Sequence, residues 1–393
     1  MKTKKQYLLS ILILVPLTVT CCNDNNSIQE DFNLNSERII YQNGVEEVLN
    51  TPTIIGDIKD GQVVDIVPKE WSNFINSPGD YSRIKNYYCV GTENCSPQFI
   101  EIKWTISDDC SSYDFYLSTN KNMSDASIIP SQKESITLND LFAGQHYYYQ
   151  IHAFYEDRTI ISKRFDFATS NYFRLIDIQN VYNARDIGGK TTKDSLKRVK
   201  QGLVYRSANF DSVSSNGIYK ALHTYGLKTE LDLRETILDV SPLGEHVKYI
   251  NNAVGEYGSP LYMGRYNGLA TIEYQKTMAN NLRVFSDKNN YPMIFHCAVG
   301  RDRTGTLAIV LYLLLGIDEK QIKDDWASSF FSLACNGEDF EAYSELAESI
   351  FKYFKVYSAN QDIYTGIEDY CLDIGLSKEE IDSIRENLLE PVI

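Results

Sequence analysis

The stretch from Tyr291 to Gly316 constrains the fold more than any other part of the chain. Tyr291-Pro292-Met293-Ile294-Phe295 is a short apolar run of the kind that forms a strand buried on both faces. Thr304 to Leu315 is apolar around its whole circumference and closes at Gly316, which predicts a helix with no solvent-facing side. A buried strand followed at once by a buried helix requires a sheet covered by helices, an α/β arrangement. The surrounding pattern agrees. Leu203-Val204-Tyr205-Arg206 and Lys228 to Leu233 read as strands, Asn216 to Tyr225 and Thr271 to Phe285 as helices. Asp318 with Gln321, and Ser377 with Glu380, predict capping boxes at two later helix starts. Ile381, Ile384 and Leu388 give the last helix its inner face.

The loop joining that strand and helix is His296-Cys297-Ala298-Val299-Gly300-Arg301-Asp302-Arg303-Thr304-Gly305. At such a junction unpaired backbone N–H groups converge and the helix dipole adds positive potential, so the loop is an anion site. Ala298, Val299, Gly300, Arg301, Arg303 and Thr304 are its predicted phosphate contacts. Arg303 can clamp two oxygens with its planar fork, and Gly300 lets the backbone turn tightly. Cys297 faces the same field, which favours the thiolate, the nucleophilic form. A thiolate there can attack phosphorus and form a cysteinyl-phosphate. The Thr304 hydroxyl is placed to stabilise sulfur as it leaves, and His296 to orient the loop.

The rest of the chain reads differently. A length of 393 residues suggests two or three domains. From about Tyr81 to residue 170 short alternating segments predict an all-β sandwich: Phe99 to Trp104, Tyr113 to Leu117, Ile136 to Leu138, His146 to Phe154 and Ser162 to Phe167. Lys2, Lys4 and Lys5, then an apolar run from Tyr7 to Thr20, read as a signal segment of residues 1–21 ending at Cys21-Cys22. Residues 22–80 are expected to hold a flexible tether and an extended stretch without an assigned role. With 38 Lys and Arg against 53 Asp and Glu the formal charge is −15, which makes nucleic acid an unsuitable partner and requires any anionic substrate to find a locally positive pocket. The five His are scattered and there is no CxxC pair, so neither a metal site nor a cofactor is expected. Cys89 and Cys95 are close enough to pair, Cys110 could pair with either, and free buried thiols are the equal alternative.

The loop resembles that of the cysteine-based phosphatases. More narrowly, it is similar to bacterial tyrosine phosphatases related to the secreted mycobacterial enzyme, which carry His-Cys-x-x-Gly-Lys-Asp-Arg-Thr-Gly. That family's Asn-Phe-Arg-Asp-Leu-Gly-Gly segment corresponds to Asn183-Ala184-Arg185-Asp186-Ile187-Gly188-Gly189. Its Tyr-Arg-Ser and Asp-Leu-Arg segments correspond to Tyr205-Arg206-Ser207 and Asp232-Leu233-Arg234. Arg301 stands where the family has Lys, and Ala184 where it has Phe. The resemblance implies a tyrosine-phosphatase domain over 172–393 that hydrolyses phosphomonoesters in two steps. There is no Trp-Pro-Asp loop, so it implies Asp302 as the general acid, with Asp186 and Asp232 as competitors. The other role for Asp302 is as structural partner to Arg185 or Arg206. Arg185, Asp186 and Arg206 either line the pocket or brace the loop, and Gly188-Gly189 is read as a turn. Leu141 to Tyr147, followed by Tyr149, Ile151 and Ala153, resembles the corner of fibronectin type III domains, as does the early Trp104. Cys21 or Cys22 resembles a bacterial lipidation site, implying an exported lipoprotein, periplasm-facing or on the cell surface, held to the membrane by lipid. The expected substrate is a phosphotyrosine protein. The alternatives are a phosphoinositide or inositol phosphate, its extra phosphates held by Arg301, and phosphate binding with weak or no turnover.

Overall fold

The computed structural model describes residues 34–77, 83–84, 93–106, 110–170, 172–253, 267–335 and 340–392. The predicted signal segment, with Cys21 and Cys22, and Cys89 lie outside the described residues. The chain forms two compact units, one of residues up to Val64 with Phe99–Ser170, the other of Asp65–Gln98 with Asn171–Ile393. This division differs from the expected boundary at residue 81. The stretch before Val64 supplies four short strands to the first unit, and the stretch after it joins the second. The reason lies in Lys69–Asn76, which is a helix, α1, with Trp71, Phe74 and Ile75 buried on one face. Trp71 stacks on Phe331 at 4.7 Å and meets Phe173 edge-on at 5.1 Å, so this helix is part of the second unit's core.

The first unit is all-β. Its larger sheet is built around His146–Phe154, which pairs antiparallel with Ser112–Ser118, Arg158–Ile161 and Phe165–Thr169. Ile100–Thr105 pairs with Ser135–Leu138 and with Ile55–Gly56 in a smaller sheet. Alternation places Ile100, Ile102 and Trp104 inward and Glu101, Lys103 and Thr105 outward. The core is aromatic: Phe115 stacks between Trp104 and Tyr149, and Tyr149 stacks on Phe165.

The second unit is a six-stranded mixed sheet with helices. Its strands are β1 (Arg174–Leu175), β2 (Arg185–Asp186), β3 (Val204–Ser207), β4 (Thr229–Asp232), β5 (Lys248–Asn251) and β6 (Met293–His296), arranged β1-β2-β3-β6-β4-β5. The pairs β3–β6, β6–β4 and β4–β5 are parallel. Its longer helices, besides α1, are α2 (Ser215–His223), α3 (Ile272–Ser286), α4 (Asp302–Leu314), α5 (Glu319–Ser328), α6 (Phe340–Tyr357), α7 (Ile363–Asp373) and α8 (Lys378–Leu388). Every residue of α4 from Thr304 to Leu314 is buried, as its unbroken apolar circumference requires. Ser377 and Glu380 form a full capping box on α8. The box expected at α5 is only half made. The Asp318 carboxylate accepts from Lys320 N and Gln321 N, but the Gln321 amide turns to Thr191 instead. Cys95 and Cys110 are free thiols, so Cys95 is bonded to neither Cys89 nor Cys110. Cys95 is instead packed into the second unit's interior, where burial pushes its thiol up.

Candidate active site

The register of the parallel strands assembles the site. Ser207 and Asp232 both pair with His296, so β3, β4 and β6 end level with one another. The segments leaving these three ends converge at the carboxyl edge of the sheet, where open α/β sheets place their ligands. Cys297 follows β6 directly and is 1% exposed.

Three consecutive loop carbonyls are tied outward. Ala298 O accepts from Asn209 Nδ2 at 2.7 Å, Val299 O from Asn183 Nδ2 at 3.1 Å and Gly300 O from Arg206 Nη2 at 2.8 Å. In a planar trans peptide the N–H points opposite to the C=O. Fixing these carbonyls outward therefore turns the amides of Val299, Gly300 and Arg301 to the other side, into the loop. Gly300 has φ +69°, and a Cβ there would lie 2.4 Å from Ser207 O, so only glycine fits this turn. The α4 N-terminus completes the cradle, and its N-cap residue Arg301 makes no side-chain cap bond. Arg303 is half-buried at the rim and donates to Leu233 O at 3.4 Å, a long bond that a bound oxyanion can displace. Thr304 is fully buried and its hydroxyl has no hydrogen-bond partner among the described residues. Such an orphan hydroxyl beside an anion site can serve a ligand or a departing group.

Arg185 and Arg206 brace this loop rather than line a pocket. Both are buried and both converge on Asp325 of α5, with Arg185 Nε 2.9 Å from Oδ1 and Arg206 Nη1 2.6 Å from Oδ2. Lys190 adds a third cation at 3.6 Å from Asp325, its ammonium over the rings of Phe173 and Tyr312. Burial pushes Lys190 down to about 8, with Asp325 opposing that shift. Burial also pushes the Asp325 carboxyl up, but Arg185, Arg206 and Lys190 outweigh it and hold the group well below the usual carboxylate range.

Asp302 pairs with its neighbour Arg301 (3.2 and 3.3 Å), not with Arg185 or Arg206. The expected alternative partners are engaged by Asp325, which sequence reading did not single out. Asp302 keeps a side chain 19% exposed, whereas that of Arg301 is only 6% exposed. The two competing acids are committed elsewhere. Asp186 accepts from Gly188 N, Gly202 N and Arg174 Nη1, which makes Asp186 a fastener of the Gly188-Gly189 turn. Asp232 is held by Arg234 through the guanidinium and backbone N, and by the Tyr249 hydroxyl. Burial raises the Asp232 carboxyl, yet hydrogen bonds from Arg234 and the charge of His296 leave it below the usual range. Arg234 also grips Asp211, whose side chain is 57% exposed.

His296 is buried between two acceptors, Glu230 Oε1 at 2.8 Å and Cys297 O at 3.2 Å. Glu230, Asp232 and His296 bring ligand-type atoms within 4.8 Å of one another. Their polar atoms are already engaged, Glu230 also accepting from Ser241 and Asp232 from Arg234, so the trio reads as a hydrogen-bonded fastening of the β4 and β6 ends.

Comparison with known proteins gives a consistent picture. The family described as "Tyrosine phosphatase family" matches residues 176–390. A Cupriavidus necator protein named "Putative tyrosine-protein phosphatase" is 27% identical over an alignment of 169 residues that covers 38% of this chain. The chain spans 60% of that relative's length. Among solved structures, the core catalytic domain of the S. cerevisiae PP-IP phosphatase Siw14, in complex with citrate, is 17% identical with a TM-score of 0.27, over 37% of this chain and 78% of that one. A second structure of the Siw14 catalytic core is 16% identical with a TM-score of 0.25, over 37% and 85%. Overlaps this low carry no argument about fold or substrate.

Proposed function

This chain belongs to the tyrosine phosphatase family, and we propose that its second unit hydrolyses phosphomonoesters, phosphotyrosine in proteins first among them, through a cysteinyl-phosphate. The observation that carries this reading is the set of loop carbonyls turned outward at 298, 299 and 300 behind a buried cysteine. It builds a cradle of inward amides around the position where a phosphoryl group meets Cys297. The Cys297 thiolate attacks phosphorus as the ester P–O bond breaks, and Asp302 gives its proton to the leaving oxygen. Arg303 and the loop amides take up the charge on the three remaining oxygens. Asp302, now a base, takes a proton from water as that water attacks phosphorus and the S–P bond breaks. The Thr304 hydroxyl donates to the departing sulfur. His296, Arg185, Arg206 and Asp325 hold the loop in place.

Arg301 supports a single-phosphate substrate. It is buried and paired with Asp302, so it does not present the exposed cation that a second phosphate of an inositol phosphate needs. The first unit is, on this reading, a fibronectin type III-like sandwich. The hydroxyl of Tyr147 accepts from Phe142 N at 2.9 Å, the kind of link made by a tyrosine corner. Export and lipid anchoring through Cys21 or Cys22 rest on the N-terminal sequence. Among the described residues no helix is long and apolar enough to cross a membrane.

The test is kcat/KM of the reduced protein, with EDTA present, on phosphotyrosyl peptides and on inositol polyphosphates. Preference for the peptides is expected. Faster turnover of inositol polyphosphates would overturn the substrate, and phosphopeptide binding without any turnover would overturn the reaction.

A further inference from the structure

We infer that Glu93, which lies outside the span matched by the family, is a positioning residue for the phosphate loop and acts through Asn183; the inference rests on the phosphatase reading above. One Glu93 oxygen accepts from Asn183 N at 3.2 Å. The other accepts from Ser332 Oγ at 2.8 Å and from Leu333 N at 2.7 Å. A single carboxylate thus bridges the entry to β2 and the turn after α5. Asn183 is fully buried and has φ +54°, a left-handed conformation that asparagine tolerates but that persists only where surroundings enforce it. Glu93 and Arg185 supply that enforcement from the two sides, Glu93 at the amide and Arg185 at the carbonyl and side-chain oxygens. With its backbone so pinned, Asn183 directs Nδ2 to Val299 O and turns the Gly300 amide inward.

The segment carrying Glu93 is itself fastened. Asn94 N donates to Phe331 O at 3.1 Å, and Trp71 Nε1 donates to Asn94 O at 2.7 Å. The chain ahead of the family-matched region therefore supplies one wall of the loop's support. Glu93 touches no substrate in this arrangement; its effect passes through a side-chain amide to one carbonyl of the cradle.

The substitution Glu93→Gln separates positioning from folding. The glutamine oxygen can keep the Ser332 and Leu333 donors, which places its NH2 group against the Asn183 N–H, donor facing donor. In the full chain, Glu93→Gln is expected to lower kcat on an aryl phosphomonoester about 10-fold or more, since displacement of a loop by about 1 Å can cost 10²-fold. Tungstate affinity, read in a Cys297→Ser background, falls by a similar factor. The melting temperature stays within a few degrees of wild type. Glu93→Ala falls at least as far, and Glu70→Gln, on the exposed first turn of α1, changes neither quantity. Loss of melting temperature with kcat per folded molecule and tungstate affinity unchanged would overturn the inference, as would unchanged values throughout. A wild type that binds tungstate but turns over no phosphomonoester would sink the phosphatase reading alone, because the tungstate comparison still tests Glu93.

Discussion

Replacing Asp325 with asparagine should destabilise the second unit by about 3–5 kcal/mol, the range for removing one side of a buried ion pair. Asp325 is 1% exposed and is the shared counter-ion of Arg185, Arg206 and Lys190, at 2.9, 2.6 and 3.6 Å. Asparagine keeps the shape and leaves three cations facing one another without a negative charge. Asp325 titrates below the ordinary carboxylate range, so its stabilisation is fully present above the unfolded carboxylate pKa and is lost only as pH falls through the lower folded value. An assay at pH 7 therefore measures the whole effect. With about 2–4 °C per kcal/mol for a unit of this size, the melting temperature should fall by roughly 6–20 °C. Lys190 sets how much of the cost is felt. Its pKa, already about 8, falls further without Asp325, so it sheds its proton and relieves part of the repulsion. Urea unfolding of wild type, Asp325→Asn and Asp325→Asn with Lys190→Met measures both terms, and the double variant should recover part of the loss. A single variant within about 1 kcal/mol of wild type would refute the view of Asp325 as the hub beneath the loop.

Three further outcomes follow from the same geometry. Gly300→Ala should fold yet lose about 100-fold or more in kcat, because its Cβ meets Ser207 O at 2.4 Å and drives the loop aside; a steady-state assay beside a melting curve checks this. Lys190→Met should be more stable than wild type at pH 7. The folded Lys190 pKa is depressed to about 8, so its penalty is complete below that value and fades as pH rises from about 8 toward 10.5; a pH-independent difference in unfolding free energy would contradict this. Asp302→Asn should cost about 10²–10⁴-fold with leaving groups that need a proton and far less with strongly acidic phenols, which a leaving-group series reads directly.

The β6–loop–α4 unit was legible because three signals coincide there: an apolar strand, a glycine-bearing loop and a helix apolar on every side. The bracing behind the loop was hidden. Asp325 follows another acid in a helix of ordinary polarity, and only its spacing three residues after buried Ile322 and next to Trp326 marks its inward face. Asn183 and Asn209 reach the loop from other segments, and no local pattern announces an amide that will hold a distant carbonyl. Arg185 and Arg206 were readable as paired with a carboxylate, but not with which one, because the choice depends on tertiary proximity. The α1 helix escaped notice because Pro68 and the mixed polarity around it suggest an extended run; Trp71, Phe74 and Ile75, at helical spacing, were the signal.

The most direct test is to quench the reduced protein during turnover of a phosphotyrosyl peptide and find the phosphoryl group by mass spectrometry, in the presence of EDTA and beside Cys297→Ser. The account predicts a phosphoryl adduct on Cys297 during turnover by the wild type, and no turnover in Cys297→Ser. Turnover that survives in Cys297→Ser, or a phosphoryl group trapped on another residue, would contradict it.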